Sequence, residues 1–360
     1  MRLSRRTAHV AIFAAVVVAV QVATQLAGKP FFLTQLTMAA YYTLVAVGLS
    51  LLMGYAGQIS LGHAAFFAIG GYVTAALTTA DLAGSRGRAL VAFAERLHVL
   101  VARTDPYGAA LLSVHPWVAC AAAVALAMGV AFVIGIPVLK LRGHYLAMAT
   151  LGFGTIVYSV VLGSERLGAA DGLGSVPPFP IALGLAVGGG RDARVENYYV
   201  AWGLVALTLL LLANLVESRV GRALRAIHGA EDAAGAMGVD VARYKLRTFV
   251  LSAALAAVGG VFLTHYNAAI GPSEAAIMKS VRYVAIVAMG GMGSLWGTVA
   301  TSAVLSFLSL RGYFGTLDDA VFGAVLLVVM LFAPGGILRL DGRAAVAAIL
   351  ERLRRPQVIP

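Results

Sequence analysis

Apolar residues gather along this chain into long blocks, and short polar or glycine-rich breaks separate them. A helix needs roughly 20 apolar residues, rising about 1.5 Å each, to cross the hydrocarbon of a bilayer. The blocks predict helices near 8–27, 33–53, 61–80, 117–139, 145–163, 199–216, 247–266, 277–290, 295–310 and 319–334. The eighth is too short to cross comfortably alone. The expectation is an all-α polytopic bundle of about ten spans, eight at the fewest, some of them broken or re-entrant. It forms one membrane unit over 1–340 with a basic tail at 341–360. The first block follows "MRLSRR" and precedes no clear small-residue cleavage site, so it reads as a retained helix rather than a removed signal.

One block is interrupted. "GYAGQISLGHAAFFAIGGY", Gly54 to Tyr72, sets five glycines, a Gln, a Ser and a His inside an apolar stretch. Backbone leaves the helical pattern at membrane depth only where it lines a cavity or is buried in protein. Gly57, Gln58, Ser60, Gly62 and His63 are therefore candidates for a solute path. Free N–H groups near Ser60 to His63 would face a solute carboxylate, as half-helix N-termini do. The competing reading, in which each glycine only lets helices pack closely, fits as well. A second cluster, "MGGMGSLWG" from Met289 to Gly297, echoes the first in spacing and adds Gly291, Gly293 and Ser294.

Between the spans lie three longer polar segments. Residues 81–116 contain "RALVAFAERLHVLVAR", where Leu90, Phe93, Ala94, Leu97 and Val101 share a helical face that Glu95, Arg96, His98 and Arg103 avoid. This predicts a helix lying in the membrane interface. Residues 164–198 are turn-rich, with "GAADGLGSVPPFP" and "GGGRDARVENYY", and predict irregular, outward-exposed chain. The third, Glu217 to Arg247, is the most polar stretch and predicts a short helix between Ala230 and Met237, with Glu231 and Asp232 at its favourable end.

Composition and charge agree. Hydrophobic residues are 60% of the 360 and charged residues 12%, with a mean hydropathy of +0.88; soluble domains carry about 25% charged residues. If the N-terminus is cytoplasmic, ten crossings place 16 of the 27 Lys and Arg on that side, so both termini are expected inside. The net charge of +11 then implies an anionic lipid surface and no nucleic acid. The single cysteine, Cys120, is a small packing residue that can form no disulfide within the chain.

Five stretches, in order, resemble the LivM-type permease subunits of ABC importers for branched-chain amino acids: "GYAGQISLGHAAFFAIGGY", "LKLRGHYLAMATLGFG", "ADGL", "SRVGRALRAIHGAEDAAGAMGVDVARYKLRTFVLSAALAAVGG" and "GGMGSLWG". The resemblance spans nearly the whole chain except 81–116, which looks longer than usual. It implies a type II importer-like permease in the bacterial inner membrane, with a second, LivH-type permease, two ATP-binding subunits of LivG/LivF type and an external solute-binding protein as partners. It also implies that Glu231, Ala233, Ala234 and Gly238, turning in after Gly229, form the cytoplasmic helix that docks on the ATPase. Related permeases carry urea or short amides, the alternative substrate class.

What the chain lacks is consistent with that. There is no G-x-x-x-x-G-K-[ST], so ATP and Mg would be bound by partner subunits, with no cofactor or metal on this chain. No Cys/His cluster or G-x-S-x-G elbow appears, and His63, His144 and His265 read as single hydrogen-bonded helix-end residues. A secondary transporter would need intramembrane acids, and the expected spans hold almost none. A channel would not need the docking segment. Glu274, Lys279 and Arg282 look too few and too isolated for an enzyme, so a non-catalytic permease subunit is expected.

Overall fold

All ten apolar blocks are helices in the computed structural model, which describes residues 2–81, 99–104, 110–141, 143–181 and 184–332. They are α1 (Arg2–Leu26), α2 (Phe32–Ala56), α3 (His63–Thr79), α4 (Pro116–Val138), α5 (His144–Gly163), α6 (Arg194–Glu217), α9 (Val241–Asn267), α10 (Ile277–Gly290), α11 (Leu295–Leu310) and α12 (Asp318–Phe332). Two short helices, α7 (Arg219–Gly229) and α8 (Glu231–Ala236), stand between α6 and α9. The basic tail lies outside the described residues, as does Arg142.

The differences from expectation fall at helix ends and in loops. α6 begins five residues before the expected 199, because Glu196 in its first turn suits the positive helix end and Asn197 ties that turn to the backbone of Gly188. α9 begins six residues before 247. There Asp240 caps it by accepting the Arg243 N–H at 3.1 Å, and the straight-chain Arg and Lys that follow favour helix. α7 was not expected as a helix. It is amphipathic, with Gly221, Leu224 and Ile227 buried at every third position and Arg222, Arg225 and His228 exposed.

The expected interfacial helix in 81–116 is corrected at its end. Residues 82–98 lie outside the described residues, but Leu100–Thr104 is a strand (β1), paired antiparallel with Ala110–Val114 (β2), Val101 opposite Ser113. A five-residue stretch such as Leu-Val-Ala-Arg-Thr is too short to fix either period, and here a neighbouring strand supplies its backbone partners. The loop before α6 is also more ordered than its turn residues suggest. Phe179–Pro180 (β3) pairs with Ala186–Val187 (β4), and Leu173 bridges to Ile270 just beyond α9. Phe179 is fully buried among Trp117, Phe262 and His265. His265 holds the loop through the carbonyl of Pro177 at 2.6 Å and reaches Thr74 at 3.1 Å. This segment is pinned over one end of α3 and α9.

α2 runs through the centre. Its aliphatic stretch from Leu44 to Leu52 is almost wholly shielded, as expected for a helix that is apolar all round. α3 and α9 pack on it and on each other so closely that a Cβ on Gly70 would lie 2.3 Å from Ala257 O, and one on Gly260 2.0 Å from Phe67 O. α4 and α5 lie outside and leave large apolar side chains uncovered, among them Val133, Phe132, Tyr145 and Met148. Among the described residues, five helices are long and apolar enough to cross a membrane by themselves, α2, α4, α5, α6 and α9.

Candidate functional site

The interrupted stretch is a true break between helices. Gly57 closes α2 in the left-handed region (φ 67°), and its N–H returns to Leu52 O. A residue with a Cβ would be strained there, and its Cβ would also stand 3.0 Å from His228 Nδ1 of α7. Residues 58–62 then cross to α3. Gln58 is buried, and neither its Oε1 nor its Nε2 has a hydrogen-bond partner among the described residues. Buried polar atoms left alone cost about 1–3 kcal/mol each, so Gln58 is a place of unused capacity.

Two of the N–H groups expected to be free, those of Leu61 and Gly62, are engaged, and so is that of Ala64 just beyond them. Leu61 donates to Thr150 Oγ1 at 3.0 Å, Gly62 to Ser60 Oγ at 3.4 Å and Ala64 to Ser280 Oγ at 3.1 Å. The hydroxyls of Thr150 and Ser60 take up the Leu61 and Gly62 donors, which withdraws those two from a solute carboxylate. His63 is fully buried, with Ser60 Oγ 3.1 Å from Nδ1 and Ser252 Oγ 2.7 Å from Nε2. It joins the break to α9, the helix-end role expected of it. Gly62 is needed for close approach, since its Cβ would stand 2.7 Å from the carbonyl of Thr150.

The second glycine cluster packs against the first. Gly291 (φ 91°) and Gly293 (φ 89°) form the turn between α10 and α11, and Ser294 caps α11 by accepting the Gly297 N–H at 3.1 Å. Tyr55 donates to Gly293 O at 2.6 Å, and a Cβ on Gly54 would lie 2.1 Å from Gly293 N. The contact between the two breaks runs through Gly54 and Tyr55 on one side and Gly293 on the other; Gly57 faces His228 and Gly62 faces Thr150 instead.

The polar segment before α9 touches this same end of the bundle. Gly229 is the last residue of α7, not a turn; the chain bends at Ala230 in extended geometry, and Gly238 (φ 84°) makes the exit. α8 buries Ala234 and exposes Ala233, Gly235, Ala236 and Met237, the last at 86%. Glu231, expected to meet a basic group on a partner, instead meets Lys245 of α9 at 2.5 Å. Lys245 is only 6% exposed, so the pair braces α8 on the bundle.

Sequence reasoning missed one constellation. Glu274, in the 3-10 turn Pro272–Ala275, accepts from Tyr42 at 3.1 Å and from Lys279 at 2.7 Å. Lys279 also donates to Tyr42 at 3.0 Å and lies 4.6 Å from the centre of its ring. Arg282 lines the same small cavity as Tyr42 and Lys279 but spends its bonds on Asp318, Asp319 and Ser309. Glu274 and Lys279 are thus a built pair rather than isolated charges. The available signal was an acid and a base five residues apart between two apolar blocks, which a membrane tolerates only when they are matched.

A bundle of apolar helices, broken at two packed glycine turns and carrying a braced helix beyond one end, defines a multi-pass membrane protein of the permease class. The model of the family described as branched-chain amino acid transport system, permease component, matches residues 31–333, and the chain belongs to that family. The LivM high-affinity branched-chain amino acid transport system permease protein of Salmonella typhimurium is 30% identical over 324 residues, covering 84% of this chain and 68% of the relative. Its Escherichia coli K12 counterpart is 29% identical with the same coverage. The LivH permease protein of E. coli K12 is 26% identical over 325 residues, 86% of this chain and 96% of the relative. No solved structure matches.

Proposed function

We propose that this chain is the LivM-like permease subunit of an ATP-driven importer that carries branched-chain amino acids inward by alternating access. Its partners in this reading are a second permease, two ATP-hydrolysing subunits that hold ATP and Mg, and an external solute-binding protein. It sits in the inner membrane of a bacterium with both termini in the cytoplasm. The observation that carries the coupling is the arrangement of α7 and α8. α8 offers a face of small residues and Met237 to a groove on an ATPase, while its other side is fixed by Glu231–Lys245 to α9. α7, directly attached, places His228 against Gly57 at the break. Motion imposed on α8 thereby reaches both glycine turns without crossing a flexible linker, as coupling between two sites requires. Lys140, Arg243 and Lys245 line one cavity with Glu231 at this end, where basic side chains suit an anionic inner leaflet.

The solute path is proposed to pass the break at 57–62 and the turn at 291–294, where Gln58 holds its unused amide. Uptake of labelled leucine by the assembled complex, competed with isoleucine, valine and urea, tests the reading. Saturable leucine uptake, blocked by the other two branched amino acids, is expected. Saturable urea uptake with no leucine uptake would overturn it.

A further inference from the structure

Glu274, in the turn between α9 and α10, and Lys279, in the first turn of α10, meet Tyr42, which stands near the middle of α2. Ionised side chains inside a membrane bundle persist only where they meet each other or a polar passage. Lys279 spends two of its three N–H donors, on Glu274 Oε1 and Tyr42 Oη, and Tyr42 donates to that same Oε1. The arrangement leaves a surplus. Glu274 Oε2 and the Tyr283 hydroxyl are buried and make no hydrogen bond among the described residues. Tyr283 is 3% exposed and lines, with Tyr42, Lys279 and Arg282, a cavity of about 60 Å³ whose apolar wall is Ile286, Leu310 and Phe322 and whose hydroxyls are Ser306 and Ser309; Glu274 is joined to it through its bonds to Lys279 and Tyr42. Tyr72, whose hydroxyl is likewise unpartnered, packs in one buried cluster with Ala275, the neighbour of Glu274. An ion pair kept only for architecture is found with its remaining lone pairs and protons satisfied. This one keeps an acceptor and hydroxyl donors in reserve.

We propose that Glu274, Lys279 and Tyr283 hold the charged head of the transported solute, an α-amino acid zwitterion. Glu274 Oε2 accepts from the ammonium, while the remaining N–H of Lys279 and the Tyr283 hydroxyl donate to the carboxylate. The apolar side chain lies toward Ile286, Leu310 and Phe322. The inference rests on the importer reading above and adds the chemistry of recognition. The cavity is large enough for a head group and smaller than a whole amino acid, so Ile286, Leu310 and Phe322 must part to admit the hydrocarbon. Ser280, the next residue after Lys279, is the one that holds the Ala64 N–H at the start of α3. A solute drawing on Lys279 therefore pulls on the broken turn.

The assembled complex, in detergent and in proteoliposomes, is tested with three probes: leucine, 4-methylpentanoate, which lacks the ammonium, and 3-methylbutylamine, which lacks the carboxylate. Leucine should raise the unfolding temperature of the wild-type complex more than either singly charged probe. Glu274→Gln should raise the leucine concentration for half-maximal uptake about ten-fold, the loss of one charge-assisted contact, and narrow the preference for leucine over 4-methylpentanoate. Glu274→Asp should recover part of that loss. If Glu274→Gln fails to assemble, Tyr283→Phe, which removes only the unpartnered hydroxyl, should still weaken leucine half-saturation several-fold. Unchanged half-saturation and unchanged probe preference in an assembled variant overturn the site while leaving the importer reading intact. A wild-type complex that neither imports nor is stabilised by any α-amino acid overturns that reading and this site with it.

Discussion

Gly62 and Lys245 show how single positions hold the bundle. A side chain on Gly62 meets the Thr150 carbonyl, which is backbone and cannot swing away. Overpacking of this kind costs about 1–3 kcal/mol. Gly62→Leu should therefore shift α5 from α3 and reduce uptake before it reduces the amount of protein in the membrane. Normal uptake at normal expression would show that the close approach is dispensable. Lys245 presents the opposite problem, a buried cation satisfied by one carboxylate. Glu231→Gln should lower stability by about 3 kcal/mol, the low end for breaking a buried pair, because the Glu231 side chain keeps 29% exposure. Exchanging both, Glu231→Lys with Lys245→Glu, should recover most of the loss in a thermal unfolding measurement. A double variant no better than Glu231→Gln alone would mean that the pair is not what braces α8.

At the scale of elements, the ten helices were legible because apolar length alone specifies a span, and Ile277–Gly290 and Leu295–Leu310 fall where the blocks put them. α7 was not legible, since three buried residues in eleven are too few to stand out among Arg and Ala until α2 and α6 are there to receive them. β1 was hidden for a related reason: its partner strand, not its own period, decides between strand and helix. The glycine clusters were legible as breaks, but the capping hydroxyls of Thr150 and Ser280 come from α5 and α10, far along the chain, so the fate of the N–H groups could not be read locally. Glu274 and Lys279 were seen but read as isolated, because the third member of their cluster, Tyr42, lies 232 residues before the acid. α8, by contrast, was placed by its flanking residues, and its exposed face makes a direct prediction. Met237→Asp or Ala233→Trp should abolish copurification of the ATP-hydrolysing subunits while leaving insertion intact. Arg191→Glu in the exposed loop before α6 should not. Equal loss of copurification in all three would point to general misfolding and not to docking.

Across the whole molecule, the two glycine turns, α7 and the end of α2 form one contiguous contact at a single end of the bundle, while the Glu274–Lys279 pair sits deeper along α2. In the proposed importer, energy from ATP hydrolysis enters through α8 and leaves as movement near that pair, and the packed contact on the way is that of His228 with Gly57. Proximity alone does not make coupling; the contact must differ in energy between the two states of the bundle. The His228 ring can supply that difference, because it is exposed on α7 and abuts backbone that has no side chain to yield. Removing it should free the break from α7 while leaving α8 and its brace untouched. His228→Ala is therefore expected to preserve copurification and basal ATP hydrolysis of the complex, yet lower leucine import per ATP by about ten-fold, within the 5–150-fold span of typical coupling energies. Hydrolysis and uptake falling together would instead place His228 in docking. Wild-type stoichiometry in the variant would mean that the signal travels by α9 and the Glu231–Lys245 pair, and that Gly57 meets His228 for packing alone.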